Sequence, residues 1–139
     1  MIDSERFTAK TEPHRLHVYS HRHNAHVTLT KSNGDVLITM SCGNVGFKKQ
    51  HRGSYEAAFQ LSSYLLKAIQ ERGYLAENTA NYIYQIDLVF RGWGDGRQAF
   101  QTALLGIEGR NIRGRITRIF DATRLKIGGN RAKKPRRLG

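Results

Sequence analysis

Residues 83–97 of the chain read IYQIDLVFRGWGDGR, an apolar run that leads through a glycine-rich turn into a polar segment. Aliphatic and aromatic residues over Ile83–Phe90 favour a strand, although Asp87 interrupts the run. Beyond the turn Gly92–Gly96, apolar residues recur at helical spacing and predict a helix over about 97–105. A strand followed directly by a helix is typical of α/β proteins.

The flanking segments extend this pattern. Residues 15–30 are rich in valine, leucine and threonine, and an Asn-Gly turn at 33–34 precedes a second extended run over 36–40, which together predict an antiparallel hairpin or meander. Apolar spacing predicts a helix over 54–73 that begins at a serine N-cap and ends at a glycine. Alternating isoleucine and arginine over 112–120 predicts a last strand with a basic face. The expected fold is therefore α/β, a mixed sheet with flanking helices.

Composition bounds the class of protein. The chain has 139 residues, 39% of them hydrophobic, which suits one folded domain rather than a disordered basic chain. Its single cysteine, Cys42, excludes an internal disulfide framework and a zinc site built from several thiolates. No apolar run approaches the ~20 residues that a membrane span requires, and residues 1–7 lack the apolar core of a signal peptide.

The positive charge is concentrated near the C-terminus. Lys and Arg total 23 against 11 Asp and Glu, a formal net charge of +12. Residues 1–109 carry 12 basic and 10 acidic side chains (+2), whereas residues 110–139 carry 11 basic side chains and one acid (+10). We expect an N-terminal extension over 1–14, a single α/β domain over 15–123 and a basic tail over 124–139 that binds a polyanion.

Two glycine-rich segments open the predicted helices. The first, residues 92–96, is called the glycine loop; glycines admit close backbone approach, and the helix start offers free N–H groups to an anion. Its chemistry is compatible with nucleic-acid backbone contact, with a tight turn alone or with a nucleotide site. Trp93, between two arginines, is compatible with base stacking or with packing. Under the first interpretation, Gly94→Val impairs RNA docking more than folding.

The second segment, residues 43–54, is called the basic loop because four basic or imidazole side chains surround Phe47. One interpretation is a phosphate-contacting loop with an aromatic insert. The other is a solvated loop whose phenylalanine packs into the core. Both are compatible with the sequence.

Metal and catalytic chemistry have weak support in the sequence. His17, His21 and His23 share a strand face, yet carboxylates and thiolates are absent nearby, so RNA contact or a polar surface is favoured over a metal site. A metal-dependent nuclease requires paired carboxylates, whereas Asp87 and Asp121 stand apart in basic surroundings. We expect no enzymatic activity, no cofactor and no small-molecule substrate.

Several motifs resemble those of the universal small-subunit ribosomal protein family S-eleven, over about residues 16–137. They comprise Asn24 followed by Val27-Thr28, Gly43 with Gly46-Phe47 and Ala57-Ala58, the glycine loop with Arg97, Arg115-Ile116-Thr117 with 119–123, and the basic terminus 131–137. The entry into the first helix and residues 121–126 look most like fungal mitochondrial members. The terminus departs from the usual family pattern, and Trp93 and Asp95 stand where bacterial members commonly have proline.

The resemblance implies a ribonuclease-H-like topology without the activity. It implies binding to small-subunit ribosomal RNA on the platform, beside other ribosomal proteins and near the messenger RNA exit, in a mitochondrial ribosome or alternatively a cytoplasmic one. The alternatives that remain are a ribonuclease-H-like nuclease and a free-standing RNA-binding chaperone.

The predicted RNA contacts fall into three groups. Two are the loops, and the third is the basic face of the last strand together with the tail, whose cations neutralise phosphates. The residues predicted to contact RNA are Asn24, Asn44, Gly46, Phe47, Lys48, Lys49, His51, Arg52, Gly92, Gly94, Gly96, Arg97, Arg113, Arg115, Arg118, Arg124, Lys126, Arg131, Lys133, Lys134, Arg136 and Arg137.

Overall fold

A computed structural model of the chain describes residues 12–76, 79, 81–125 and 127–135. Most of the predicted N-terminal extension, residues 1–11, lies outside this range. The described part forms strands and helices in the predicted order. Its strands are β1 His14–Ser20, β2 Ala25–Thr30, β3 Val36–Ser41, β4 Ile86–Arg91 and β5 Ile116–Asp121, its α-helices are α1 Tyr55–Glu71, α2 Asp95–Leu105 and α3 Arg110–Arg113, and short 3-10 helices span Cys42–Val45 and Lys49–Gly53.

The five strands form one mixed sheet in the order β3-β2-β1-β4-β5. β1, β2 and β3 pair antiparallel, so of the predicted hairpin or meander the chain forms the meander, and β4 and β5 run parallel to β1. This arrangement agrees with the ribonuclease-H-like fold class. The turn between β2 and β3 depends on Gly34, whose φ of +99° lies in the left-handed region that glycine adopts without strain.

The helices cover one face of the sheet. Alternate residues of β1, including Leu16 and Val18, are buried on that face, and they share a core with Leu61 and Leu65 of α1 and Phe100 of α2. The predicted ends of α1 are confirmed. Its N-cap serine accepts a hydrogen bond from the amide of the third helical residue, and the glycine after the helix has a φ of +72°.

The boundaries of two strands differ from the prediction. β5 begins at Ile116 rather than Ile112, because Ile112 lies in the short helix α3, where it is fully buried. β4 begins at Ile86 rather than Ile83, whose amide donates to the carbonyl of Tyr74 in the turn after α1. Periodicity marked both isoleucines correctly as buried, but burial in a turn and burial in a strand look alike in sequence.

Within the described residues, no helix has the length and apolar character needed to cross a membrane.

Candidate nucleic-acid interface

The carboxyl ends of β1, β4 and β5 meet at one edge of the sheet, because these three strands are parallel. A cleft of about 570 Å³ lies there, between the β1–β2 turn, the glycine loop and the start of the tail. Three of its lining residues are arginines, Arg22, Arg91 and Arg124, and a fourth is Trp93. In open α/β sheets this is the edge where ligands bind. It is hereafter called the cationic cleft.

The glycine amides of the glycine loop donate hydrogen bonds to other parts of the protein. The amide of Gly92 donates to the hydroxyl of Thr123 at 3.0 Å, and the amide of Gly96 donates to the hydroxyl of Ser20 at 2.9 Å. The amide of Gly94 donates to the backbone carbonyl of Ser20 at 3.3 Å. All three N–H groups therefore have acceptors within the protein, and they do not form the anion cradle that the glycine spacing suggested.

A side chain added at a glycine of this loop would also point into the protein. A Cβ on Gly94 would lie 2.6 Å from the carbonyl oxygen of His21 and from the hydroxyl of Ser20, and one on Gly96 would lie 2.7 Å from the same hydroxyl. The close approach that these glycines allow is therefore to the end of β1. The expectation for Gly94→Val is corrected accordingly: a larger side chain disturbs folding before it reaches any RNA.

Arg97 is fixed beneath the loop rather than extended into solvent. Its guanidinium donates to the carbonyl of Gly92 and to the carboxylate of Asp121, both at 3.3 Å. The same group lies between two aromatic rings, 3.6 Å from the ring centroid of Trp93 and 4.8 Å from that of Phe90. With its side chain 16% exposed, Arg97 organises the cationic cleft more than it offers a free charge to a ligand.

The basic loop is more open. Lys48, His51 and Arg52 are exposed, whereas Phe47 is partly buried against the core. The structure thus places the aromatic residue inward and leaves these cations exposed, although the Nε of Arg52 donates to the carbonyl of Phe47 at 3.3 Å. Contact of this loop with phosphate stays a prediction. Asn44 shapes the loop, since its side-chain oxygen accepts from the amide of Ser41 at 2.7 Å. The side chain of Lys49 lies outside the described part of the structure.

Asn24 occupies the turn between β1 and β2, near the cationic cleft. Its side-chain oxygen accepts from the amide of Ala25 at 2.8 Å, and its carbonyl accepts from the amide of His21 at 3.0 Å. These bonds close the turn. Gly46 lies in the left-handed region with φ of +98°, and no atom within 4 Å would meet an added Cβ.

The predicted basic face of the last strand is wrong for two of its three arginines. Arg113 belongs to α3 and donates to the carbonyl of Leu105 at 2.7 Å. Arg115 precedes β5, and its guanidinium donates to the hydroxyl of Tyr82 at 3.1 Å and to the carbonyl of Ile83. The alternation could not reveal this, because α3 interrupts the strand period at Arg113.

Arg118 does lie on β5, but it is paired. It donates two hydrogen bonds to the carboxylate of Asp87, at 2.9 and 3.1 Å, across the β4–β5 pair. The Asp87 side chain is 5% exposed and that of Arg118 is 61% exposed. Arg118 therefore neutralises a buried carboxylate while the edge of its guanidinium remains accessible.

The tail leaves the sheet from an anchored point. The carboxylate of Asp121 accepts from the amide and the hydroxyl of Thr123, at 3.0 and 2.6 Å. These bonds, with that from Arg97, hold the pKa of Asp121 below its usual value. Beyond Thr123 the described residues form neither helix nor strand, and their cations are exposed: Arg124, Arg131, Lys133 and Lys134. The predicted contacts Lys126, Arg136 and Arg137 lie outside the described residues.

The geometry provides no support for a nuclease or a metal centre. Asp87 and Asp121 are each bound to an arginine, and no group of three or more His, Cys, Asp or Glu side chains converges within the part of the chain described. The ring of His21 instead stacks against His26 at 5.9 Å, and Tyr19 stacks against His26 at 5.9 Å. Cys42 is buried, and burial raises the pKa of its thiol.

Two arginines and the tryptophan that line the cationic cleft are not among the predicted RNA contacts. Arg22 stands in the first turn, Arg91 ends β4, and Trp93 follows it. A signal for Arg91 was present, since it directly follows a predicted strand. Arg22 lies near Arg91 because β1 and β4 are parallel neighbours, and the sequence does not show that pairing.

The fold and this edge define a basic α/β protein on a ribonuclease-H-like sheet, without a catalytic carboxylate cluster among the described residues. A family model described as ribosomal protein S11 matches residues 15–137, and the chain belongs to that family. It is similar to the small ribosomal subunit protein uS11m of Neurospora crassa, with 51% identity over 128 residues that make up 92% of this chain and 33% of the relative.

A second relative is the small ribosomal subunit protein uS11m of Schizosaccharomyces pombe. It is 36% identical over 96 residues, which cover 69% of this chain and 40% of the relative. The chain thus spans between a third and two-fifths of the length of these curated relatives.

Proposed function

We propose that the chain is a structural component of the small subunit of a mitochondrial ribosome, where it binds ribosomal RNA. The observation that carries this proposal is the family match over residues 15–137. The curated relatives are mitochondrial small-subunit proteins of fungi, which supports the organelle. The S11 family is structural and non-enzymatic, in agreement with the expected lack of catalysis.

The charge distribution supports RNA as the partner. Three arginines line the cationic cleft, and residues 124–139 carry seven basic side chains and no acid. Charges of this density attract a phosphate backbone without base recognition. The folded domain over 15–123 supplies the basic loop and most of the cationic cleft. The tail over 124–139 adds Arg124 to the cleft and follows phosphates that the sheet cannot reach.

The finer position is part of the same proposal, and the family resemblance supports it. The chain lies on the platform of the small subunit, beside other ribosomal proteins and near the messenger RNA exit. The apolar residues exposed on the described surface, such as Ile119 at 66% and Ile107 at 88%, are available to such protein neighbours.

Cosedimentation tests the assembly. In a fungal mitochondrial lysate, the tagged chain should migrate with the small subunit and remain there after a high-salt wash. A control with residues 15–123 alone should still enter the subunit but leave it at lower salt. Recovery of the full chain only in ribosome-free fractions would contradict the proposal and favour a free-standing RNA-binding chaperone.

The tail is tested separately by deleting residues 124–139. The domain should remain folded, because the core residues all precede Thr123. Loss of seven cations should reduce the slope of log affinity against log salt for RNA by about 5 to 6. An unchanged slope would show that the tail is not the main electrostatic contact.

A further inference from the structure

Trp93 is unusual among the residues of the glycine loop. Its neighbours on either side pack against the end of β1, whereas Trp93 is 73% exposed at the mouth of the cationic cleft. It makes no contribution to the hydrophobic core. An exposed indole that is held at a cleft of this kind is suited to stack against a planar group of a ligand or partner.

The indole is held on one face. The guanidinium of Arg97 lies 3.6 Å from its ring centroid, and that guanidinium is itself fixed by Gly92, Asp121 and the ring of Phe90. The contact orients the indole before any ligand arrives, which reduces the entropy lost on binding. Because Arg97 covers one face, a ligand that stacks on the indole must use the opposite face.

The surroundings of the free face are cationic. Arg22, Arg91 and Arg124 line the same cleft, and the acid among its lining residues is Asp95. The two ion pairs of the described structure, Arg97–Asp121 and Arg118–Asp87, involve none of these three arginines. Arg91 lies over the ring of Tyr19, 4.5 Å from its centroid, so its position is also restricted. The cleft thus combines a flat aromatic face with unpaired positive charge.

A nucleotide has the complementary chemistry. Its base offers a planar face for stacking on an indole, and its phosphates carry the negative charge that arginines bind. The volume of about 570 Å³ is in the range of small-ligand sites. A base within a duplex is already stacked on its neighbours, so only an unpaired nucleotide can enter.

We propose that the cationic cleft receives an unpaired nucleotide of RNA, whose base stacks on the free face of Trp93 and whose phosphates contact Arg22, Arg91 and Arg124. The proposal rests on the proposed function and deepens it, because it specifies unpaired RNA at this edge. A protein segment that covers Trp93 is the competing occupant.

Trp93 is the single tryptophan of the chain, so its emission reports on the site directly. The full chain should be titrated with a ten-nucleotide uridine RNA and with an RNA duplex of equal phosphate number, while binding is measured independently by filter retention. We expect the single strand to quench the emission strongly and the duplex to bind with little quenching.

Substitution provides the matched test. Trp93→Leu should weaken binding of the single strand by about 5- to 150-fold and leave duplex affinity unchanged. Trp93→Phe, which retains a ring, should recover part of the loss. Thermal unfolding of both variants should match the parent chain, because the side chain is outside the core.

The outcomes separate the two proposals. Single-strand binding without quenching, equal quenching by the duplex, or unchanged affinity in Trp93→Leu would overturn base stacking and leave RNA binding intact. Failure of both RNAs to bind would overturn the proposed function together with this inference. Trp93→Leu that binds RNA normally but no longer cosediments with the small subunit would assign the indole to a protein neighbour instead.

Discussion

The glycine loop and the basic loop both lead into a helix and both are rich in glycine, yet Gly94 in the first and Gly46 in the second are required for different reasons. Gly94 has an ordinary φ of −70°, but an added Cβ would meet the backbone of β1. Gly46 has open space around it, but its φ of +98° is unfavourable for other residues. One position therefore requires glycine for its size and the other for its conformational freedom.

The difference also separates the roles of the loops. The three glycine amides of the glycine loop are bonded to Ser20 or Thr123, so this segment is part of the scaffold of the cationic cleft. The basic loop presents Lys48, His51 and Arg52 to solvent. Glycine-rich spacing in front of a helix therefore does not by itself indicate an anion site, because the glycine amides can be bonded within the protein.

Paired alanine substitutions test the comparison most directly. Gly94→Ala should lower the free energy of unfolding by about 3 kcal/mol, because its methyl group displaces the backbone of β1. Gly46→Ala should lower it by about 1 kcal/mol, the strain of a left-handed alanine. Chemical denaturation measures both values. Equal losses would show that the two loops are constrained in the same way.

Ser20 should be the next most sensitive position. Ser20→Ala removes the hydroxyl that accepts from the Gly96 amide and leaves that buried amide unpaired, which costs about 1–2 kcal/mol in unfolding free energy. Ser62→Ala is the control. The Ser62 hydroxyl donates to the carbonyl of Ala58 within α1, so its removal leaves no buried amide without a partner. A large loss in the control would point to packing instead of hydrogen bonding.

The basic loop should show the reverse pattern. Lys48→Gln should change the unfolding free energy by less than about 0.5 kcal/mol, because the side chain is exposed. It should reduce the salt slope of RNA binding by about 0.7–0.9 through loss of one phosphate contact. Lys67→Gln, on the exposed side of α1, removes the same charge and should leave the slope unchanged. An equal change of the salt slope in the two variants would show that Lys48 acts only through the net charge of the chain and not through a specific phosphate contact.

The smallest effect is expected at Asp121, which connects the glycine loop to the tail. Hydrogen bonds from the hydroxyl and amide of Thr123, and the charge of Arg97, lower the pKa of its carboxyl. A lowered pKa in the folded state gives stability above the unfolded value of about 3.9 and loses it as the pH falls through the folded pKa. Asp121→Asn should therefore be slightly less stable than the parent at pH 7, and the difference should vanish in strong acid. A difference that persists in strong acid would contradict the linkage.

Much of the fold was readable from patterns in the chain. The meander, the caps of α1 and the buried isoleucines follow from local periodicity and turn chemistry, which act over a few residues. The site was harder to predict. Trp93 within the glycine loop and Arg91 beside it were visible, but the inward direction of Arg115 and the pairing of Arg118 with Asp87 depend on contacts more than 30 residues apart in sequence.

By itself the sequence determined the α/β class, the uneven charge and the family, because composition, periodicity and motif spacing are properties of the chain. The tertiary structure decided which cations are accessible and what the glycines approach. Parallel pairing of β1, β4 and β5 brings Arg22, Arg91 and Arg124 to one cleft, while Ser20 at the end of β1 accepts hydrogen bonds from the amides of Gly94 and Gly96. The physical reason is that a hydrogen bond or ion pair formed within the protein removes that group from binding a ligand, and such partners are set by folding, not by sequence proximity.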